Sequence, residues 1–150
     1  MARRVGYLKK HEAVIKSLLK SDDTTGPFET IADCIAFAAA YAATRGKEDG
    51  RMALPEGNSG KAEPIRFDIF ESRGYETLVN LLSIYATQEP SILGSDEANS
   101  NSRVTIFEEY ANKGFEMLKN TLHGEVDKTD GIMLMLKKYR EGEEASSKPE

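Results

Sequence analysis

The chain has 150 residues, a formal net charge of -5 and a hydrophobic content of 39%. This size and composition are typical of one soluble globular domain with its own core, and they exclude collagen-like, disulfide-rich and mainly disordered proteins. The acidic balance argues against a protein whose whole surface binds nucleic acid, while local basic patches remain open.

The targeting signals of the sequence favour the cytoplasm. Residues Met1 to Lys20 alternate charged and apolar side chains, unlike a secretory signal. The most apolar window, Ile31 to Ala43, contains Asp33 and is shorter than the roughly 20 residues of a bilayer span. Because Cys34 is the single cysteine, an intramolecular disulfide is impossible. We therefore expect a cytoplasmic protein without a membrane segment.

The first predicted element is a short basic amphipathic helix within the segment that ends at Lys20. Its apolar positions recur at helical spacing, and Glu12 is its only acidic residue. The candidate contacts to nucleic acid or to an acidic partner are its cations, Arg3, Arg4, Lys9, Lys10, Lys16 and Lys20.

The middle of the chain predicts two helices separated by a glycine-rich stretch. Phe28 to Arg45 is apolar on nearly all sides, which is typical of a helix at the centre of a domain. In the stretch that follows, we expect Arg51 to Leu54 either to pair with Ile65 to Phe70 as a small hairpin or to pack, like Ile65 to Phe70, as an extended loop. The spacing from Tyr75 to Ala86 predicts the second helix, which ends before Pro90.

The last third of the chain predicts a long helix and a shorter one. Ser95 to Ser102 is polar and predicts a loop ending in an N-cap, at Ser100 or Ser102. The helix after this loop has an apolar face from Val104 to Leu122, and a final segment, Ile132 to Tyr139, closes the domain.

Together these elements predict an all-α or mostly α fold. We expect a compact bundle of about four to five helices, with or without one short β-hairpin. Residues 1–139 are predicted to form a single helical domain. The segment Arg140 to Glu150 lacks an apolar face and is predicted to be a disordered tail.

A glycine-rich loop, Gly57 to Lys61, resembles the end of a phosphate-binding loop. That motif needs Gly five positions before Gly60 and Ser or Thr after the lysine, but Pro55 and Ala62 occupy these positions. The loop also lacks the preceding strand and following helix that aim backbone amides at a phosphate. We therefore interpret it as a flexible linker.

No side chains have the spacing of a metal site or of a catalytic pair. Cys34, His11 and His123 share no ligand spacing, so we expect Cys34 to be an inert core residue and both histidines to lie on helix surfaces or helix ends. Glu108 and Glu109 diverge by about 100° on a helix and do not face one substrate. We expect no metal, no cofactor and no enzymatic activity.

Five stretches of the sequence match a known family in the right order. They are Ile31 to Ala39, Glu63 to Phe70, Tyr75 with Leu78 to Leu82, Pro90 to Leu93, and Ile106 to Gly114. In these stretches the chain resembles the DNA phosphorothioation-associated protein 4 family. Members of that family are small accessory proteins found with dnd systems, which replace a non-bridging phosphate oxygen of DNA with sulfur and often restrict unmodified DNA. The residues up to Lys20 and those after Leu122 lie outside the resemblance.

The resemblance implies a setting, bacterial genome defence, and supplies no catalytic residues. We expect a non-catalytic accessory or adaptor protein of a dnd-type modification and restriction system, in contact with dnd-type modification or restriction proteins. The alternative is a small DNA-binding module that uses the basic N-terminal helix. The oligomeric state is left open by the sequence.

Four charged residues within the matching stretches form a second candidate set. Arg66 and Asp68 alternate with apolar neighbours, so they are expected to point away from the core and to lie near Glu108 or Glu109. They would form an internal clamp, with Glu108 paired to Arg66, or part of a partner-binding surface. We favour the clamp, because paired charges beside a core are commonly structural.

Overall fold

The computed structural model describes residues 3–147, with side chains through Glu141. Helices dominate this part of the chain, as predicted. The helices are α1 (Glu12–Leu18), α2 (Ile31–Ala43), α3 (Phe67–Ser72), α4 (Glu76–Thr87), α5 (Glu97–Thr121) and α6 (Lys128–Ser147). The strands are β1 (Arg4–Val5), β2 (Lys20–Ser21), β3 (Thr24–Thr25) and β4 (Ile65–Arg66), and 3-10 turns occur at Lys9–His11 and Pro90–Leu93. None of the helices in the described range is long and apolar enough to cross a bilayer.

The centre of the fold is the contact between α2 and α5. Helix α2 begins after the N-cap Thr30, whose hydroxyl accepts a hydrogen bond from the Asp33 N–H at 3.2 Å. Its small side chains let α5 approach so closely that a Cβ on Gly114 would lie 1.9 Å from the Ala38 carbonyl oxygen. The alanine-rich helix therefore lies in the core, as its composition predicts.

Helix α5 begins earlier than the sequence predicts. Its N-cap is Asp96, whose carboxylate accepts the Asn99 N–H at 3.1 Å, and the predicted caps Ser100 and Ser102 lie within the helix. Asp and Ser are nearly equally favoured as N-caps, so the sequence does not distinguish Asp96 from Ser100 or Ser102. Placing the cap too late assigned helical residues to the preceding loop. The expected loop is therefore wrong from Glu97 onward.

The predicted pairing of Arg51 to Leu54 with Ile65 to Phe70 is wrong, although short antiparallel pairs, as the predicted fold class allows, occur elsewhere. Arg51 to Leu54 forms no strand, and β4 instead pairs antiparallel with β1, with Val5 opposite Ile65. The residues after β4 turn into α3 and do not stay extended, because Phe67 and Phe70 lie three residues apart and share one helix face. A second antiparallel pair joins β2 to β3.

Helix α6 extends past the segment Ile132 to Tyr139 at both ends. Ile132 and Met135 anchor it to the core. The helix continues through Ser147 and so enters the segment Arg140 to Glu150, whose last three residues lie outside the described range.

Candidate functional site

The N-terminal segment, residues 3–11, lies along α5 and is not helical before Lys9, where a 3-10 turn leads into α1. Alternate residues of the segment are held by α5 residues that are four apart. These pairs are Gly6 N–H with Glu108 Oε2, Leu8 N–H with Asn112 Oδ1, and Lys10 Nζ with Glu116 Oε1, at 2.7, 3.0 and 2.8 Å. Gly6 and Leu8 are two extended residues apart, about 6.6 Å, and helix residues four apart rise about 6.0 Å, so the two spacings nearly match. Lys10 lies in the 3-10 turn and reaches Glu116 with its side chain. The segment is therefore fixed on the helix surface.

Asn112 is the central residue of this arrangement. Its side chain is fully buried, and its Nδ2 donates to the Gly6 carbonyl at 3.2 Å while its Oδ1 accepts the Leu8 N–H. The amide therefore pairs backbone groups of a segment more than 100 residues away, which sequence spacing alone does not reveal.

Arg3 and Arg4 are separated from the lysines with which the sequence groups them. Arg3 lines a polar cleft of about 230 Å³ beside Arg103, with Glu71 among the other lining residues. Arg4 lies opposite Arg66 across the strand pair, and Glu63 lies 4.0 Å from its guanidinium. The prediction of one basic helix carrying all six cations is therefore wrong, because residues 3–8 pair with other segments before the helix begins.

A basic groove, lined by Lys10 and Lys119 but not by Lys9 or Lys16, lies between the first helical turns and the C-terminal half of α5. Two adjoining clefts of about 220 Å³ each share Lys119, and one of them is also lined by Lys10. Lys9 and Lys16 lie exposed on the same short helical region, and no ion pair is formed by Lys9, Lys16 or Lys119 within the described residues. Lys20 is exposed on β2, beyond the end of α1. Lys119 was missed in the sequence because a single lysine on a helix carries no signal until another helix packs beside it.

His11 lines the same groove but is buried, with 2% of its surface exposed. Its ring packs 5.6 Å from that of Phe115, and its Nε2 atom has no hydrogen-bond partner. Desolvation, together with the nearby ammonium groups of Lys10 and Lys119, lowers the pKa of His11 to about 4. Of the two expected positions, a helix surface or a helix end, His11 has the second, since it ends the 3-10 turn, and its imidazole is a neutral core group at pH 7.

Asp68, Glu108 and Glu109, the acidic residues of the second candidate set, each form an ion pair or a hydrogen bond, but not the pair between Glu108 and Arg66 that the sequence predicts. Glu109 forms an ion pair with Arg51 at 2.5 Å, and the Arg51 guanidinium lies 5.9 Å from the centre of the Tyr110 ring. Arg66 pairs with Asp68, and both side chains are more than half exposed. The expected ion pair between Glu108 and Arg66 is therefore wrong. Glu108 is held by the Gly6 N–H, and burial raises the pKa of its carboxyl group.

A buried carboxylate network that sequence reasoning missed joins α2 to the turn before α4. Arg73 binds Asp33 with two nitrogens, Nε at 2.8 Å and Nη2 at 2.7 Å, and the Tyr75 hydroxyl donates to the same carboxylate at 2.5 Å. Burial acts to raise the pKa of Asp33, but the hydrogen bonds from Arg73, Tyr75 and Thr30 outweigh it, so the pKa is lowered. Since every partner is supplied from within the fold, the network stabilises the contact between these elements.

Exposed apolar side chains are grouped on α4 and α6, and Ile69 on α3 is also 42% exposed. On α4, Leu81 is 61% exposed and Tyr85 is 40% exposed, and the two residues are one turn apart. We call this pair the α4 patch. On α6, the exposed apolar residues include Met133 and Leu134. Apolar side chains grouped on one face are typical of surfaces that bind other proteins.

The chemistry of Cys34 is that of a core residue. The side chain is fully buried, and burial raises the pKa of its thiol to about 12. A thiol with such a pKa is not a nucleophile at neutral pH. Among the described residues, no group of three His, Cys, Asp or Glu side chains is placed to hold a metal ion.

Comparison with known proteins supplies the family. No curated protein and no solved structure gives a significant match. A family model does match, and it includes the N-terminal segment from Arg4 onward, which lay outside the resemblance seen in the sequence. The model describes DNA sulphur modification system-associated protein 4 and matches residues 4–150, so the chain belongs to this family.

Proposed function

We propose that the protein is a non-catalytic accessory subunit of the DNA sulphur modification system and works by binding other proteins of that system. On this proposal it acts in the bacterial cytoplasm, as an adaptor between modification or restriction proteins in genome defence. The family supplies the system. The contacts described above supply the argument for an adaptor.

The observation that carries the proposal is the α4 patch. Leu81 and Tyr85 expose large apolar side chains on a helix whose other face is anchored in the core by Val79 and Leu82. Contact of these side chains with water is unfavourable. A partner that covers them gains about 25 cal/mol of binding free energy per Å² of apolar surface buried. Apart from the Nε2 atom of His11, the buried polar side-chain atoms of the described residues are hydrogen-bonded within the fold, as in the pairing of Asp33 with Arg73. This division favours a binding role over a catalytic one.

The test is a pull-down of the tagged full chain from the native host, with and without nuclease, read by mass spectrometry. We expect modification or restriction proteins to remain bound after nuclease treatment. Leu81→Lys should lose them, whereas Asn101→Lys, at an exposed position on α5, should keep them. If no protein of the system is recovered under either condition, or if both variants behave alike, the proposal is wrong.

A second candidate function, DNA binding, is favoured by the exposed lysines in the basic groove and on the helical surface beside it. Lys9, Lys16 and Lys119 lack ion-pair partners within the described residues and are available to phosphate groups. About three phosphate contacts predict that duplex affinity falls with salt with a logarithmic slope of about -3. We expect Lys9→Gln, Lys16→Gln and Lys119→Gln together to remove such binding, while Lys47→Gln, at an exposed position between α2 and α3, leaves it unchanged. System proteins that disappear from the pull-down after nuclease treatment would favour this function over the adaptor.

A further inference from the structure

We propose that two copies of this chain associate through α6, with their α6 helices antiparallel. The contact surface is the α6 stripe, which we define as Asp130, Met133, Leu134 and Lys137. The proposal concerns self-association and is independent of which other protein the chain binds.

The α6 stripe faces away from the rest of the fold. Ile132 and Met135 are 5% and 8% exposed, whereas Met133 is 63% exposed and Leu134 is 45% exposed. The four stripe residues follow the spacing i, i+3, i+4, i+7 and therefore share one face of the helix, opposite the anchors. An apolar centre is thus left uncovered between two charged residues.

The start of α6 is fixed, which determines the direction of the stripe. The Lys128 N–H donates to Thr25 Oγ1 at 2.7 Å, and the Thr129 hydroxyl donates to the Thr25 carbonyl at 2.5 Å. The Lys128 ammonium group also donates to the Glu125 carbonyl at 2.7 Å. These contacts hold the first turn against β3, so the helix cannot rotate to bury Met133 without losing them.

The charge pattern of the stripe identifies the second copy as its partner. Asp130 stands at one end and Lys137 at the other, seven residues and two helix turns apart. A two-fold rotation about a point between Met133 and Leu134 places each Asp130 beside Lys137 of the other copy and each Met133 beside Leu134 of the other copy. A surface that complements itself under a two-fold rotation is the requirement for an isologous dimer. Neither Asp130 nor Lys137 has an ion-pair partner within the described residues.

Two further exposed apolar side chains of α6 lie on the side of the helix that faces α2 and are not part of the stripe. Leu136 and Tyr139 are 44% and 52% exposed, and they border an apolar cleft of about 190 Å³ between α6 and the α2 residues Phe37 and Tyr41. Stable interfaces bury about 1,200 Å² or more in total, and a contact of four residues from each copy lies below that range. We therefore expect a weak dimer whose population rises with protein concentration.

The experiment is sedimentation velocity on the full chain over a concentration series, with circular dichroism to verify that each variant is folded. The wild type should pass from monomer to dimer. Asp130→Lys and Lys137→Asp should each weaken the dimer by about 10-fold or more, because each places like charges together twice. The double variant with both changes should return to wild-type affinity, and Met133→Glu should abolish the dimer. Glu89→Lys and Lys47→Asp, at exposed positions outside α6, serve as matched controls and should leave it unchanged.

Three outcomes would overturn the proposal. The first is a chain that remains monomeric throughout the concentration series. The second is a dimer whose affinity is the same in Met133→Glu as in the wild type, since its interface would lie elsewhere. The third is a double variant that stays as weak as Asp130→Lys alone, since the antiparallel register would then be wrong.

Discussion

Replacing His11 with phenylalanine should remove a distinct acid-sensitive step from the stability of the protein. The imidazole is buried against Phe115, and its Nε2 atom has no hydrogen-bond partner. Phenylalanine keeps a ring at this position and brings no polar atom into the core. At pH 7 we expect His11→Phe to equal the wild type or to exceed it by about 1 kcal/mol, because an unpaired buried polar group costs about that much or more.

The sign and size of the acid effect follow from the lowered pKa. Burial and the nearby lysines lower the pKa of His11 from 6.5 to about 4. Above pH 6.5 the imidazole is neutral in both states and has no effect on the pH dependence of stability. As the pH falls from 6.5 to 4, the unfolded chain takes up a proton that the folded chain excludes, so the free energy of unfolding falls. At about 1.4 kcal/mol per pH unit the total loss is about 3 kcal/mol, and the profile flattens below pH 4.

The assay is urea denaturation at half-unit steps between pH 4 and pH 7.5. The wild type should lose about 3 kcal/mol more than His11→Phe across this range. Asp33 and Glu116 have lowered pKa values, so the stability they contribute is lost only as the pH falls below their ordinary values of 3.8 and 4.5. The effect of Asp33 is common to both proteins and cancels in the difference, whereas His11→Phe also removes the lesser contribution that His11 makes to the lowered pKa of Glu116. Parallel profiles for the wild type and His11→Phe would refute the reasoning, and His123→Phe, which alters an exposed histidine, should follow the wild type.

Three further substitutions and one deletion test the packing. Phe107→Ala should lower the free energy of unfolding by about 3–5 kcal/mol, since the ring is fully buried and packs edge-on to Phe70; an unchanged urea midpoint would contradict this. Gly114→Ala should cost at least about 2 kcal/mol, because its Cβ would meet the Ala38 carbonyl and push α2 from α5; a neutral effect on the thermal midpoint would count against the close contact. Asn112→Ala should cost about 2 kcal/mol and speed hydrogen exchange at the Leu8 amide, and unaltered exchange would argue against that hydrogen bond. Removing residues 140–150 should leave the thermal midpoint unchanged, because the α6 anchors precede the cut, and a clear drop would mean that the tail is docked.

The helices were predictable from the sequence where an apolar face is continuous. The segments around α2 and α4 were placed within a few residues, since their buried positions repeat at helical spacing and Gly46 and Pro90 mark where they end. The start of α5 was misplaced because its first turns are polar and its cap, Asp96, lies among other residues that also cap helices. A local apolar pattern therefore shows that a helix is present, but it does not show where a helix begins when the first turns are polar.

The contacts that build the site were not predictable, since they join distant parts of the chain. The alternation at Ile65 fits a strand, but no local signal shows that its partner is Val5, about 60 residues earlier. In the same way, Asn112 reads as an ordinary polar residue on a helix until the backbone of Gly6 is placed against it. Long-range pairing depends on shape and burial over the whole fold, and these are absent from any local pattern.

The basic residues show how this difference changes a functional interpretation. Counted along the chain, six cations form one group, but in the fold Arg4 is set against Glu63 and Lys10 is used to fix the N-terminal segment to Glu116. Lys9 and Lys16 remain without ion-pair partners in the described range, and Lys119 joins them from a helix more than 100 residues later in the chain. A charge that already has a partner releases fewer counterions on binding a phosphate, so the sequence count overstates the electrostatic surface. The groove and the helical surface beside it offer about three available lysines, which is too few for strong nonspecific binding to DNA and fits better a surface that adds electrostatic selectivity to a protein contact.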